Sequence, residues 1–187
     1  MRDSADLWIP DARHALRPVI ACNPVDYWLD TGCVGSETVR SEVLYSTEQA
    51  YIDGTTEVVE LYEGAFLQTF GRGEGTVNWG GREGRIEWTN FPTRRPDGVF
   101  LPDLAGVIKL AGSERPILYR MQGISLLPDN QDCRLVAGPL RWYTDETEYL
   151  WLNDRWGYEE GELDRKTLGF RTVAYVLHPE PPSRRRT

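Results

Sequence analysis

The chain has 187 residues, 40% of them hydrophobic, and a formal net charge of −8. That length suits one domain, and the apolar share is enough for a core yet too low for a membrane protein. An acidic surface repels phosphate backbones, which sets nucleic acid aside as a partner.

The first stretch, residues 1–40, reads as an irregular N-terminal arm punctuated by Pro10, Pro18 and Pro24. Its Trp8, Tyr27 and Trp28 suit an arm packed on the rest of the chain, because disordered arms are poorer in aromatics. Met1 to Pro10 holds Arg2, Asp3 and Asp6 and no apolar stretch, so no secretory signal is read and a cytoplasmic location is expected. No run approaches the roughly 18 apolar residues of a spanning helix, so no membrane partner is expected. Cys22, Cys33 and Cys133 are odd in number and form no CxxC pair, which fits reduced thiols better than a disulfide framework or a zinc site. A Cys22–Cys33 bridge stays open, since its geometry is not written in the sequence.

Residues 41–179 read as one β-barrel domain. Glu42 to Ile52, Thr55 to Tyr62, Gly71 to Trp79 and Arg85 to Asn90 are strand-like runs rich in β-branched and aromatic residues. Val99 to Leu110, Pro116 to Ile124, Leu135 to Tyr143, Glu148 to Trp156 and Leu168 to Leu177 continue the series. Gly, Pro, Asp and Asn separate the runs, which is the pattern of an antiparallel sandwich or barrel. No convincing amphipathic helix of ten or more residues appears; in Asp145 to Leu152, Trp, Tyr and Thr favour strand. Residues 180–187, with Arg184, Arg185 and Arg186, read as a frayed basic tail.

Few familiar catalytic motifs occur. There is no phosphate-cradling loop, dinucleotide fingerprint or nucleophile elbow. His14 and His178 are the sole histidines, too few for a multi-histidine metal centre and poorly placed for a Ser-His-Asp triad. No cofactor and no metal are expected. Aromatic and acidic residues instead share strands. Period 2 puts Tyr149, Trp151 and Asn153 on one face, and Asp103 on a face with Ala105 and Val107. Asp103 reads either as a turn or strand-end acid after Pro102, or as an acid in a partly dry pocket whose raised pKa suits acid–base work. Glu87, opposite Trp88, has the same two readings, solvated strand face or catalytic acid.

The residues Gly64-Ala65-Phe66, Gly75-Thr76-Val77, Gly80-Gly81, Glu87-Trp88, Pro96-Asp97-Gly98-Val99 with Asp103, Leu118-Tyr119 with Gly123, and Tyr149-Leu150-Trp151-Leu152-Asn153 occur in that order. In this order they resemble the bacterial and fungal proteins grouped as domain-of-unknown-function family 3237. The resemblance spans about residues 42–177 and implies a closed, antiparallel, lipocalin-like β-barrel with a central cavity. Glu87 stands where that family usually has aspartate, and Met121-Gln122 replace a more polar pair. Arg155-Trp156-Gly157-Tyr158 follows where that family usually has a Phe-Val-Gly type strand, and together these departures suggest a specialised, more aromatic pocket.

The function these features favour is a cofactor-free cyclase or isomerase, pericyclic chemistry included, acting on a small, largely apolar secondary-metabolite intermediate. Asp103, Glu87 and Tyr119 are the expected catalytic residues. Trp88, Gln122, Trp142, Tyr149, Trp151, Asn153, Trp156 and Tyr158 are the expected substrate-binding residues. The alternative is a carrier that binds an apolar metabolite without changing it. A third reading is a subunit-interaction protein, with a homodimer as its form.

Overall fold

The structure is a computed structural model that describes residues 40–128 and 132–178. The expected N-terminal arm, up to residue 39, and the basic tail lie outside the described residues, as do Cys22, Cys33 and His14. The strands are β1 (Arg40–Tyr51), β2 (Glu57–Leu61), β3 (Phe66–Trp79), β4 (Arg82–Asn90), β5 (Thr93–Arg94) and β6 (Phe100–Leu101). Then come β7 (Asp103–Leu110), β8 (Ile117–Gln122), β9 (Ile124–Leu126), β10 (Cys133–Thr144), β11 (Trp156–Asp164) and β12 (Gly169–His178). A 3-10 helix, Thr147–Asp154, joins β10 to β11.

Eight strands close on themselves. Their order is β1, β12, β11, β10, β8, β7, β4, β3, and β3 pairs back onto β1. Every pairing is antiparallel, so the chain forms a closed antiparallel β-barrel, and closure leaves these eight without a free edge. The short strands β5, β6 and β9 bridge the start of β3 to β10, and β2 pairs with the start of β3.

Alternation along each strand selects the inward face. On β8, Ile117, Tyr119 and Met121 are buried while Leu118, Arg120 and Gln122 are exposed. On β10, Arg134, Val136, Gly138, Leu140 and Trp142 point in. On β1 a bulge between Val43 and Tyr45 shifts the register, after which Tyr45, Thr47 and Gln49 are the buried residues. Large side chains line the barrel interior. At roughly 25 cal/mol per Å2 over roughly 200 Å2, each buried indole contributes about 5 kcal/mol before ordering entropy is counted.

Glycines make room for those rings. A Cβ on Gly73 would lie inside the Trp88 ring, one on Gly157 inside the Trp142 ring, and one on Gly106 against the Tyr119 ring. In each pair the glycine faces its aromatic partner from an adjacent strand or across the barrel interior. These glycines therefore sit in mid-strand, on the packed face, and do not mark turns.

Two expectations need correction. Glu148 to Trp156 is not a strand. Its backbone makes i to i+3 turns, with the Tyr149 N–H on the Glu146 carbonyl (2.9 Å) and the Arg155 N–H on the Leu152 carbonyl (3.0 Å). Asn153, within the helix, ties this turn back to Thr144 at the end of β10, against the strand propensity of Tyr and Trp. Second, β11 follows at Trp156, in a run (WGYEEGELD) whose glycines and acids hid its strand character.

Candidate functional site

The strand that sequence patterning missed carries the most unusual side chain in the barrel. On β11 the inward residues are Gly157, Glu159, Gly161 and Leu163. Glu159 is 5% exposed and sits between Ala174 of β12 and Gly138 of β10, two small residues that leave space around it. An isolated carboxylate is costly to bury. Burial accordingly pushes its pKa up, from about 4.5 to about 7, and a hydrogen bond from Thr172 pulls the other way.

A directed chain of hydrogen bonds ends on this acid. The Trp88 indole N–H donates to Gln49 Oε1 (2.6 Å), and Gln49 Nε2 donates to Thr47 Oγ1 (2.8 Å). Thr47 Oγ1 and Thr172 Oγ1 lie 2.6 Å apart, and Thr172 Oγ1 donates to Glu159 Oε1 at 2.6 Å. Because the Thr172 proton is committed to Glu159, Thr47 is the donor between the two threonines. All four links are buried, and each orients the next.

Three further polar groups surround the acid. The phenol oxygens of Tyr45 and Tyr119 and the indole nitrogen of Trp142 are buried and make no hydrogen bond among the described residues. Burial raises the pKa of both phenols, and the charge of Glu159 raises them further. Tyr119 also feels Tyr45, so the two phenols and the acid form one electrostatic cluster. The Trp142 indole neighbours the Tyr45 phenol and works against that rise. Both phenols are thus held protonated, as donors.

The 3-10 helix covers this end of the barrel. Tyr149 packs edge-on against Trp79 (5.3 Å between ring centres), and Trp79 packs against Tyr45 (4.8 Å). Leu152 is fully buried in the same core. Asn153 fastens the helix by accepting from the Thr144 N–H and donating to the Thr144 carbonyl, both at 2.9 Å. Arg82 reaches over to Tyr149 Oη and Glu148 Oε2, both at 2.8 Å.

The residues expected from sequence divide by face. Trp88, Tyr119 and Trp142 line the interior, and Tyr149 is buried beneath the helix. The others lie elsewhere. Asp103 points outward and takes two hydrogen bonds from Arg120, each 3.1 Å. Glu87 also points outward, 3.5 Å from the Lys109 amine. Gln122 and Asp103 line a shallow external groove of about 640 Å3 with Gln68, Phe91, Leu101 and Pro102. Trp151 and Trp156 are exposed, and the Arg141 guanidinium stacks on Trp156 at 4.4 Å. Tyr158 is half-buried on the outer face, and Asn153 is the helix fastener. The physical reason is parity: Asp103 does share a face with Ala105 and Val107, but the packed face of β7 is the one with Leu104, Ile108 and Leu110.

Comparisons with known proteins agree on the fold. No protein-family profile matches the chain, and no curated protein does. Among solved structures it is similar to a beta-barrel like protein from Acinetobacter baumannii, with a TM-score of 0.66 at 14% identity, covering 77% of this chain and 99% of that one. A conserved protein of unknown function from Rhodopseudomonas palustris aligns with a TM-score of 0.63 at 14% identity, over 75% of this chain and 99% of its own. A structure described as an enzyme from Penicillium herquei aligns with a TM-score of 0.54 at 18% identity, over 79% of this chain and 99% of its own.

Proposed function

We propose that this barrel is a cofactor-independent enzyme, a cyclase or isomerase, that moves a proton on a small, largely apolar metabolite held inside it. The observation that carries the reading is Glu159, a buried carboxyl inside the barrel that ends a hydrogen-bonded chain, with its pKa raised to about 7 and two protonated phenols beside it. An acid–base group works best when its pKa lies near the working pH, because both protonation states are then populated. Buried titratable groups with strongly shifted pKa values cluster at functional sites. The catalytic role thus moves from Asp103 and Glu87 to Glu159, while Tyr119, Trp88 and Trp142 keep places in the site. The Penicillium herquei neighbour, described as an enzyme, supports a catalytic use of this kind of barrel.

Glu159 as carboxylate would take a proton from the substrate, and as carboxylic acid would return it at another atom. Thr172, Thr47, Gln49 and Trp88 would stabilise the anionic form by donating in sequence toward it. The aromatic walls would set the substrate's shape. The test is turnover of a panel of apolar linear polyenones by the purified protein, followed by product chromatography beside an E159Q control. Turnover that Glu159→Gln abolishes supports the reading. Tight binding of several members with no turnover above buffer would establish a carrier instead.

A further inference from the structure

We propose that Tyr45 and Tyr119 form a carbonyl-binding pair, so that the substrate of the Glu159 site is an apolar ketone or enone with an acidic C–H beside its carbonyl. The inference rests on the acid–base reading above for the role of Glu159, and on a separate observation for the pair. Three buried donors, Tyr45 Oη, Tyr119 Oη and Trp142 Nε1, make no hydrogen bond among the described residues. Their side chains are 1%, 3% and 1% exposed, and they come from three different strands, β1, β8 and β10.

Leaving a donor buried and unsatisfied costs roughly 1–3 kcal/mol, so native interiors keep few of them, and several in one place call for an explanation. The Trp142 indole N–H neighbours the Tyr45 oxygen, but neither phenol proton has an acceptor in the described protein. The nearest acidic group, Glu159, has Oε1 committed to Thr172. A carbonyl oxygen has two lone pairs and carries no charge, so it satisfies two phenols and adds no repulsion beside an ionised Glu159. A carboxylate or phosphate ligand would place a second negative charge next to that acid.

The chemistry then closes without a co-reactant. Glu159 removes the proton from the carbon beside the carbonyl. The C–H electron pair becomes the new C=C bond, and the carbonyl π pair moves onto oxygen. The resulting enolate oxygen accepts from Tyr45 and Tyr119, whose donors strengthen as its charge grows. Glu159 then returns the same proton to a conjugated carbon, which gives the shifted isomer; or the enolate carbon attacks the β-carbon of a second enone in the same molecule, the C=C π pair of that enone moves to its α-carbon, and this carbon takes the proton from Glu159, which closes a ring. Protons and electrons balance in both cases.

The probe is 2-tetralone, an apolar enolisable ketone, compared with tetralin, its oxygen-free twin. Affinities are measured for the full-length protein and for Tyr45→Phe, Tyr119→Phe and the double variant, with melting curves confirming that each is folded. Exchange of the ketone's α-protons in heavy water is followed by NMR for the same proteins and for Glu159→Gln. We expect the ketone to bind about tenfold or more tighter than tetralin, and the double variant to erase that preference while tetralin affinity stays within about twofold. Each single variant should lose part of it. Equal affinity for ketone and hydrocarbon, or a preference that survives the double variant, overturns the carbonyl pair even if exchange still depends on Glu159. A preference lost in the double variant, with exchange indifferent to Glu159→Gln, keeps the pair and removes the acid–base reading. Failure of both probes to bind overturns the pair.

Discussion

The residue that governs this barrel is Glu159, and its burial has a cost that depends on pH. Below its unfolded pKa near 4.5 the acid is protonated in both states and costs nothing ionic. Between about 4.5 and about 7 the folded state keeps the proton that the unfolded state releases, so stability falls as pH rises. Above about 7 the penalty is complete, about 3 kcal/mol. Glu159→Gln keeps the shape and removes the charge. Its melting temperature should match the native protein near pH 4.5 and exceed it at pH 8, and the gap is read by calorimetry across that range. The neighbouring Thr172 hydroxyl favours the anion. Thr172→Val should therefore move the midpoint of a pH–rate profile upward, by about one unit. Asp103 and Glu87 give the opposite expectation. Both sit in exposed ion pairs, of the kind that contributes about 0–1 kcal/mol, so Asp103→Asn and Glu87→Gln should leave turnover within about twofold and shift the melting point little.

At the scale of elements, the 3-10 helix packs over one end of the barrel, with Tyr149 on Trp79 and Leu152 in the core. It is short, and a 3-10 helix makes poorer hydrogen bonds than an α-helix. Its hold on the barrel is concentrated in Asn153 on Thr144, Arg82 on Tyr149 and Glu148, and the buried Tyr149 and Leu152. Asn153→Ala removes two bonds to one backbone unit and should destabilise the fold by about 1–3 kcal/mol. Hydrogen exchange should accelerate first over residues 144–155, ahead of β7 and β8; uniform acceleration would show that the helix does not open separately. The same element shows why part of the site was hard to read. Tyr149, Trp151 and Asn153 alternate as a strand would, and the contacts that decide otherwise, with Thr144, Arg82 and the barrel core, are not written in that alternation. β11 was hidden for a related reason. Gly157 and Gly161 read as breaks, although each is required by what faces it: the Trp142 ring for the first and the β12 backbone for the second. The all-β pattern and most strands were legible, because alternation is local. The face of each strand was not, because parity is set by partners far away in the chain, and a bulge such as that at Leu44 resets it.

For the whole molecule, closure of eight strands fixes the interior volume, and the sequence then divides that volume between glycine and aromatic partners. Gly73 with Trp88, Gly106 with Tyr119 and Gly157 with Trp142 are three such divisions. Enlarging either member alone overfills the barrel, so Gly157→Ala should destabilise the fold by about 1–3 kcal/mol or more. Shrinking the ring alone should open a measurable void. Trp142→Ala in particular would leave space on the rung of Tyr119, within reach of the Glu159 cluster, at a cost of about 3–5 kcal/mol. Paired changes behave differently: a smaller ring combined with alanine at its glycine trades volume within one rung, and the loss should be less than the sum of the two single changes. The barrel thus has an internal exchange rule. Of the three rungs, the Gly157–Trp142 pair alone can trade methylene groups without touching a phenol or the hydrogen-bonded chain, because Trp88 heads that chain and Tyr119 is one of the phenols.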